Sequence, residues 1–141
     1  MTRFVTLTLI ALTLSACGGD GAGRAPGPPA TPQDGVLAIS AFEWGFAPDA
    51  IVLRRGEQVR IELENAGQVL HNLKIEELAG DDIESRSSGP LSADEGELFV
   101  GAAAGDTGTL AFVPQESGVF VFWCTIRGHR QLGMEGELTV E

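Results

Sequence analysis

The chain has 141 residues, and 20 acidic side chains against 9 basic ones give it a formal net charge of -11 at pH 7. A surface this acidic repels a phosphate backbone, which argues against nucleic acid as a partner and favours solubility. Once a leader and a linker are set aside, the length leaves room for a single domain with one modest core, and we expect a monomer.

The start of the chain has a pattern typical of bacterial export. Arg3 precedes an apolar run over residues 4–14, which is too short to cross a bilayer comfortably. Leu-Ser-Ala-Cys then ends at Cys17 and resembles the lipobox of bacterial lipoproteins, whose cysteine is lipidated and becomes the first residue. We predict a lipoprotein signal peptide over residues 1–16, lipid on Cys17, and an exported protein anchored to a bacterial membrane on its periplasmic or cell-surface side. A plain signal peptide with a chance cysteine is the alternative.

The next segment has the composition of a linker. Residues 18–33 are mostly glycine, alanine and proline, with Asp20 and Arg24 as the only charges. Such a segment cannot bury enough apolar surface to fold. Residues 17–34 are therefore predicted to be the lipidated cysteine and a flexible tether, and residues 35–141 the folded domain.

The domain shows short alternating apolar runs separated by glycines, without a sustained 3.6-residue period, which favours strands over helices. Strands are predicted at 36–42, 50–54, 58–64, 72–77, 97–100, 107–113, 119–124 and 136–140. The acidic residues of the stretch 78–96 lack the alternation of a calcium-binding loop, so this stretch is predicted to be a solvated loop with a short helical turn. The fold class is therefore all-β, a sandwich of about eight strands.

Soft metal donors are scarce in this chain, which has two cysteines, two histidines and two methionines. Cys124, His129 and Met134 follow one another at intervals of five residues, between the end of one predicted strand and the start of the next. One loop can therefore wrap three ligands around an ion, and His71, at the start of another predicted strand, supplies a fourth. Two imidazoles, a thiolate and a thioether suit copper, whereas structural zinc sites usually take four cysteines or histidines.

The residues around these donors carry a family resemblance. The matching features are Phe46-Ala47-Pro48, Ile51-Val52-Leu53, Gly56, Asn65, His71-Asn72, the aromatic run 118–124, His129 and Met134. In these features the chain from residue 36 to residue 141 resembles a cupredoxin, a type 1 blue copper protein close to the plastocyanin, auracyanin and azurin group. The resemblance implies that the sandwich has Greek-key topology and holds one copper ion.

By this resemblance, His71, Cys124 and His129 are the equatorial copper ligands and Met134 is the weak axial ligand. Asn72 would join the two ligand-bearing loops by hydrogen bonds. The implied function is a one-electron carrier between redox proteins such as cytochromes, oxidases or reductases. Two histidines are too few for the further copper centres of a multicopper enzyme, so we expect no catalysis. A copper carrier or storage protein is the alternative.

The chain departs from the family pattern beside the second histidine. Many relatives have proline before the Gly-His pair, whereas this chain has Arg127, and Arg130 follows His129. With the apolar Leu132, these arginines form a locally basic rim on an acidic protein. We interpret this rim as a docking site for an acidic partner; solvated arginines that replace a turn proline are the alternative.

Overall fold

The structure, a computed structural model, describes residues 28–141. The predicted signal peptide, Cys17 and most of the predicted tether lie outside the described residues. Among the residues that are described, no helix is both long enough and apolar enough to cross a membrane.

The described chain forms two five-stranded sheets that pack face to face, with one short 3-10 turn at Arg130–Leu132. One sheet has the strand order β2-β1-β4-β8-β6 and the other has the order β3-β10-β9-β5-β7. The strands are β1 Val36–Phe42, β2 Gly45–Ala47, β3 Ala50–Leu53, β4 Val59–Asn65, β5 His71–Ile75, β6 Gly80–Arg86, β7 Phe99–Ala102, β8 Thr107–Pro114, β9 Gly118–Trp123 and β10 Glu135–Val140. The predicted all-β sandwich is confirmed, with ten strands where the sequence predicts about eight.

The two additional strands have physical reasons for escaping prediction. β6 lies within residues 78–96, predicted to be a loop, and it pairs only with β8, with an irregularity between Asp81 and Glu84. Edge strands commonly carry charges and bulges because these discourage pairing with other chains, so their sequences look like loops. β2 has only three residues, too few to show a period of two.

Alternation along the strands builds the core between the sheets. In β4, for example, Val59, Ile61 and Leu63 point inward and are at most 2% exposed, while Arg60 faces solvent. Each fully buried aliphatic side chain of this kind stabilises the fold by about 1.5–3 kcal/mol. Cys124, Met134 and Phe122 belong to the same buried cluster, so the end of β9 and the loop after it are held by core packing.

Two short pairings lie upstream of residue 35, where the sequence predicts the domain to begin. Ala30 bridges Ile51 of β3, donating its amide to the Ala50 carbonyl at 2.9 Å. Gln33 and Val36 exchange a pair of backbone hydrogen bonds. The chain therefore joins the domain at Ala30, where it partly covers the open edge of β3.

Candidate metal centre

One end of the sandwich brings His71 beside two soft donors, Cys124 and His129, that lie more than fifty residues further along the chain. His71 is the first residue of β5, Cys124 directly follows β9, and β5 and β9 are neighbours with Lys74 opposite Trp123. One donor atom from each of His71, Cys124 and His129 lies within 4.8 Å of the others. His71 and Cys124 are completely buried and His129 is 9% exposed. These three side chains form a compact, water-poor donor set.

The loop from residue 124 to residue 134 is closed by its own backbone. Met134 donates its amide to the His129 carbonyl at 3.1 Å, and Cys124 donates its amide to the Met134 carbonyl, also at 3.1 Å. Gly133 has φ of 108°, a left-handed conformation that favours glycine. The Cys124 Sγ lies 3.4 Å from His129 Nδ1, and Met134, the last residue of the loop, is fully buried.

Asn72 joins the β5 end of the site to this loop. Its side-chain amide donates to the Thr125 hydroxyl at 3.0 Å, and its side-chain oxygen accepts the Thr125 backbone amide at 2.8 Å. Asn72 is 1% exposed and Thr125 is half-buried, so water has limited access to both hydrogen bonds. The residues flanking His71 and Cys124 are thus held at a fixed separation.

Glu43, in the turn between β1 and β2, contacts the site without being indicated by any sequence pattern. Its Oε1 accepts the backbone amides of Gln68 at 2.7 Å and Val69 at 3.1 Å, and it lies 3.3 Å from His71 Nε2. The hydrogen bond from the Gln68 amide is the main cause that lowers the pKa of the Glu43 carboxyl, so this group is ionised at neutral pH. No short-range spacing links residue 43 to residue 71, and only the tertiary fold reveals the contact.

Trp44 covers the solvent side of the histidines. Its ring centroid lies 4.7 Å from that of His129 and 6.2 Å from that of His71, both in edge-on arrangements. Trp44 itself is 39% exposed. Of these three rings, that of Trp44 is therefore the most exposed to solvent.

Two observations indicate that the donor set fits a metal ion. Within the described part of the chain, His71 Nδ1 is one of two buried side-chain nitrogens without a hydrogen-bond partner; Trp123 Nε1 is the other. A buried nitrogen lone pair without a donor is costly, and a metal ion would satisfy it. Two imidazoles with one thiolate form the trigonal set that copper takes in electron-transfer proteins.

Burial changes the proton affinity of two of these donors. It raises the pKa of the Cys124 thiol, because the charged thiolate is disfavoured away from water, although the nearby backbone amides of Asn72 and Ile126 oppose this effect. It lowers the pKa of His129, with His71 lowering it further and Glu43 raising it. His129 is therefore neutral and ready to bind a metal at neutral pH, whereas Cys124 must release a proton on metal binding.

The copper-free protein is expected to be most stable between the ordinary pKa values of these groups, 6.5 for the imidazole and 9.0 for the thiol. Because the pKa of His129 is lowered on folding, its contribution is present above pH 6.5 and is lost as the pH falls through the lowered value. Because the pKa of Cys124 is raised, its contribution is present below pH 9.0 and is lost as the pH rises through the raised value.

Urea unfolding of the reduced copper-free protein, repeated from below pH 6.5 to above pH 9.0, measures how the free energy of unfolding depends on pH. Each limb has a slope of at most about 1.4 kcal/mol per pH unit, the value for one proton. His129→Gln should flatten the acid limb and Cys124→Ser the alkaline limb. If neither substitution changes the pH dependence of the free energy of unfolding, His129 and Cys124 are not the groups responsible for the two limbs.

The three predicted docking residues differ in their exposure and in whether their charge is paired. Arg130 donates from Nε to Glu135 at 2.9 Å, lies 3.7 Å from Glu76, and stacks 4.6 Å from the Trp123 ring centroid. Its charge is therefore compensated locally. Arg127 is exposed, and Leu132 is 56% exposed. Of the two arginines, Arg127 is the more exposed, and no ion pair within the described residues compensates its charge.

Comparisons with known proteins agree with this geometry. The family model for copper binding proteins of the plastocyanin/azurin family matches residues 35–141. The chain is 33% identical over 119 residues to the copper-resistant cuproprotein CopI of Rubrivivax gelatinosus, and the match covers 82% of this chain and 71% of that protein.

Solved structures show the same fold at lower identity. Reduced auracyanin from Roseiflexus castenholzii matches with a TM-score of 0.60 and 21% identity, covering 76% of this chain and 97% of that chain. The McoA multicopper oxidase from Aquifex aeolicus matches with a TM-score of 0.59 and 20% identity, covering 75% of this chain and 29% of that chain. The fold is thus shared by small cuproproteins and by single domains of oxidases.

Proposed function

The chain belongs to the plastocyanin/azurin family of copper-binding proteins, and from that membership we propose that it is a one-electron carrier with a single type 1 copper centre. The family and the metal predicted from the sequence are both confirmed. The observation that supports the carrier function most is the closed donor set of His71, Cys124 and His129, buried in the core and shielded by Trp44.

On this proposal His71, Cys124 and His129 would hold the copper ion, with Met134 as a weaker fourth ligand. Bound copper would supply one-electron redox chemistry. The protein residues keep the donors still: the closed loop of residues 124–134 and the Asn72 hydrogen bonds hold the ligand set in place whether or not an electron is present. Ligand side chains that move little when an electron is gained or lost allow fast electron transfer, as an electron carrier requires.

The electron enters and leaves, on this proposal, at the surface formed around Trp44, Arg127 and Leu132. Arg127 steers an anionic partner because its charge is exposed and not compensated in the way that of Arg130 is. The partners are redox proteins such as cytochromes, oxidases or reductases. Lipid on Cys17 would keep the domain at the outer face of a bacterial membrane, as supported by the lipobox-like sequence.

Arg127→Glu is expected to slow electron exchange with the hexacyanoferrate anion several-fold at low ionic strength and to speed exchange with a cationic ruthenium ammine. Both effects should fade at high salt because screening shortens the range of the charge. Stopped-flow kinetics measures these rates. Arg55→Glu makes the same charge change in the exposed turn after β3, and equal effects of the two variants would contradict electron exchange beside Arg127.

A copper carrier or storage protein is the second candidate, because the relative from Rubrivivax gelatinosus is named for copper resistance. Such a protein must release its metal, which calls for an open site. A catalytic role has weaker support, since multicopper enzymes need further histidines and both histidines of this chain lie in one centre.

A reversible redox titration of the copper-loaded protein, combined with a copper chelator challenge, tests these candidates. A reversible one-electron response with copper retained in the presence of the chelator supports the electron carrier. Rapid loss of copper to the chelator, without a reversible response, would reject it in favour of the carrier or storage function.

A further inference from the structure

One oxygen of Glu43 accepts two backbone amides from the loop before β5 and lies within hydrogen-bond distance of a ring nitrogen of His71, the first residue of β5. Oε1 accepts the amides of Gln68 and Val69 and lies 3.3 Å from His71 Nε2, although Glu43 is 28 residues upstream of His71. The Glu43 side chain is 27% exposed, so it sits at the boundary between solvent and the buried histidine. It is not one of the three side chains whose donor atoms cluster within 4.8 Å, so it acts from outside the ligand set.

This contact decides which nitrogen of His71 is free. A neutral imidazole carries one N–H, and a carboxylate that accepts at Nε2 places the proton there. Nδ1 is then left with a free lone pair, and this nitrogen is one of the two buried side-chain nitrogens without a hydrogen-bond partner in the described part of the chain. A carboxylate–histidine pair of this kind also fixes the ring orientation and raises the basicity of the ligand nitrogen.

Gly67 shows independently that the chain makes room for this carboxylate. A Cβ at position 67 would lie 2.5 Å from Glu43 Oε1 and 2.8 Å from Oε2. The backbone of Gly67 is not in the left-handed region, so the glycine is needed for space and not for its conformation.

We propose that Glu43 is a positioning residue of the copper centre, which holds the Nε2–H of His71 and so commits Nδ1 to the metal. The proposal rests on the proposed copper centre, but its first readout needs no metal. If Glu43 only held the loop of residues 66–70 through its backbone amides, it would not affect which nitrogen of His71 carries the proton.

Nitrogen-15 NMR of the copper-free protein, recorded well above the ordinary imidazole pKa of about 6.5, shows directly which ring nitrogen of His71 is protonated. The wild type is expected to show a downfield Nε2–H signal and an unprotonated Nδ1. Glu43→Gln keeps an acceptor of the same shape and should keep the tautomer. Glu43→Ala should lose the Nε2–H signal to solvent exchange and show averaged nitrogen shifts. Gly67→Ala should do the same, since it displaces the carboxylate while leaving its charge in the chain.

The copper-loaded variants provide the second readout. Glu43→Ala should lower Cu(II) affinity by about 10- to 100-fold, and both Glu43 variants should raise the reduction potential, because the anionic partner of the ligand imidazole is gone. Glu116→Ala is the matched control: Glu116 also accepts a backbone amide, that of Ala79, but beyond the other end of β5. It should change neither the His71 signals nor the potential.

A proton on Nδ1 in the wild type would overturn the proposal. So would His71 signals that are unchanged in Glu43→Ala and Gly67→Ala, or a reduction potential that is unchanged in both Glu43 variants. If Glu43→Ala does not fold, Glu43→Gln and Gly67→Ala still decide the question. Failure of the proposed electron-transfer function is a different result, since the NMR readout would stand even if the copper-loaded protein lacked a reversible redox response.

Discussion

Replacing Cys124 by serine is expected to abolish the intense visible absorption of the copper-loaded protein together with its reversible redox response, while the domain stays folded. The thiolate is the only anionic donor among the clustered residues, and it is the ligand that gives blue copper sites their character. A serine hydroxyl remains protonated and does not replace it. Because Cys124 is completely buried, the polar substitute should cost about 1–3 kcal/mol of stability, which a sandwich of this size tolerates.

Absorption spectra and redox titrations of the wild type and Cys124→Ser, loaded with the same amount of Cu(II), measure this prediction. Cys17→Ser is the matched control because it removes the other cysteine of the chain. It should keep the visible band in full, and it should also release the protein from membranes if Cys17 carries the lipid. A visible band that survives in Cys124→Ser would mean that the copper ligand set has been assigned wrongly.

Asn72→Ala is expected to produce the second-largest effect, a loss of about 2–4 kcal/mol in the free energy of unfolding and a 10- to 100-fold fall in copper affinity. The substitution leaves the amide and the hydroxyl of Thr125 without their partners in a half-buried position, where each unpaired group costs about 1–2 kcal/mol, the lower part of the range for buried groups. Because these bonds join β5 to the loop after Cys124, their loss frees the ligands to move apart. Denaturant unfolding and competitive copper titration measure the two effects.

Asn65 provides a control of the same residue type and the same burial, 1% exposed. Its side-chain amide donates to the carbonyls of Val69 and Ala102, both at 2.8 Å, and its oxygen accepts the Gly67 amide. Asn65→Ala should therefore destabilise the protein at least as much, but it leaves the link between β5 and the Cys124 loop intact. Equal losses of copper affinity in the two variants would point to general loosening of the fold and against a specific role for Asn72.

Much of this protein is determined by patterns that are local in the sequence. The period of two in segments such as β4 predicts inward and outward faces without any tertiary information, because alternation follows from strand geometry alone. The soft donors at positions 124, 129 and 134 lie on one short loop, so their types and spacing are enough to predict a copper site. The residues that escaped prediction are those whose partners are distant or whose position in the sheet changes their composition, as in β6.

The sequence by itself determined the all-β class, the copper-binding family and the identity of the soft donors, since each of these depends on residue type and short-range spacing. Only the tertiary structure decided how the donors are enclosed. It placed Glu43 against His71, Trp44 over His129, and Arg130 between two carboxylates, where its charge is compensated. The physical reason is that these contacts form across turns and strands that meet only when the sheets pack, and side-chain direction and burial at such meetings leave no periodic signal in the chain.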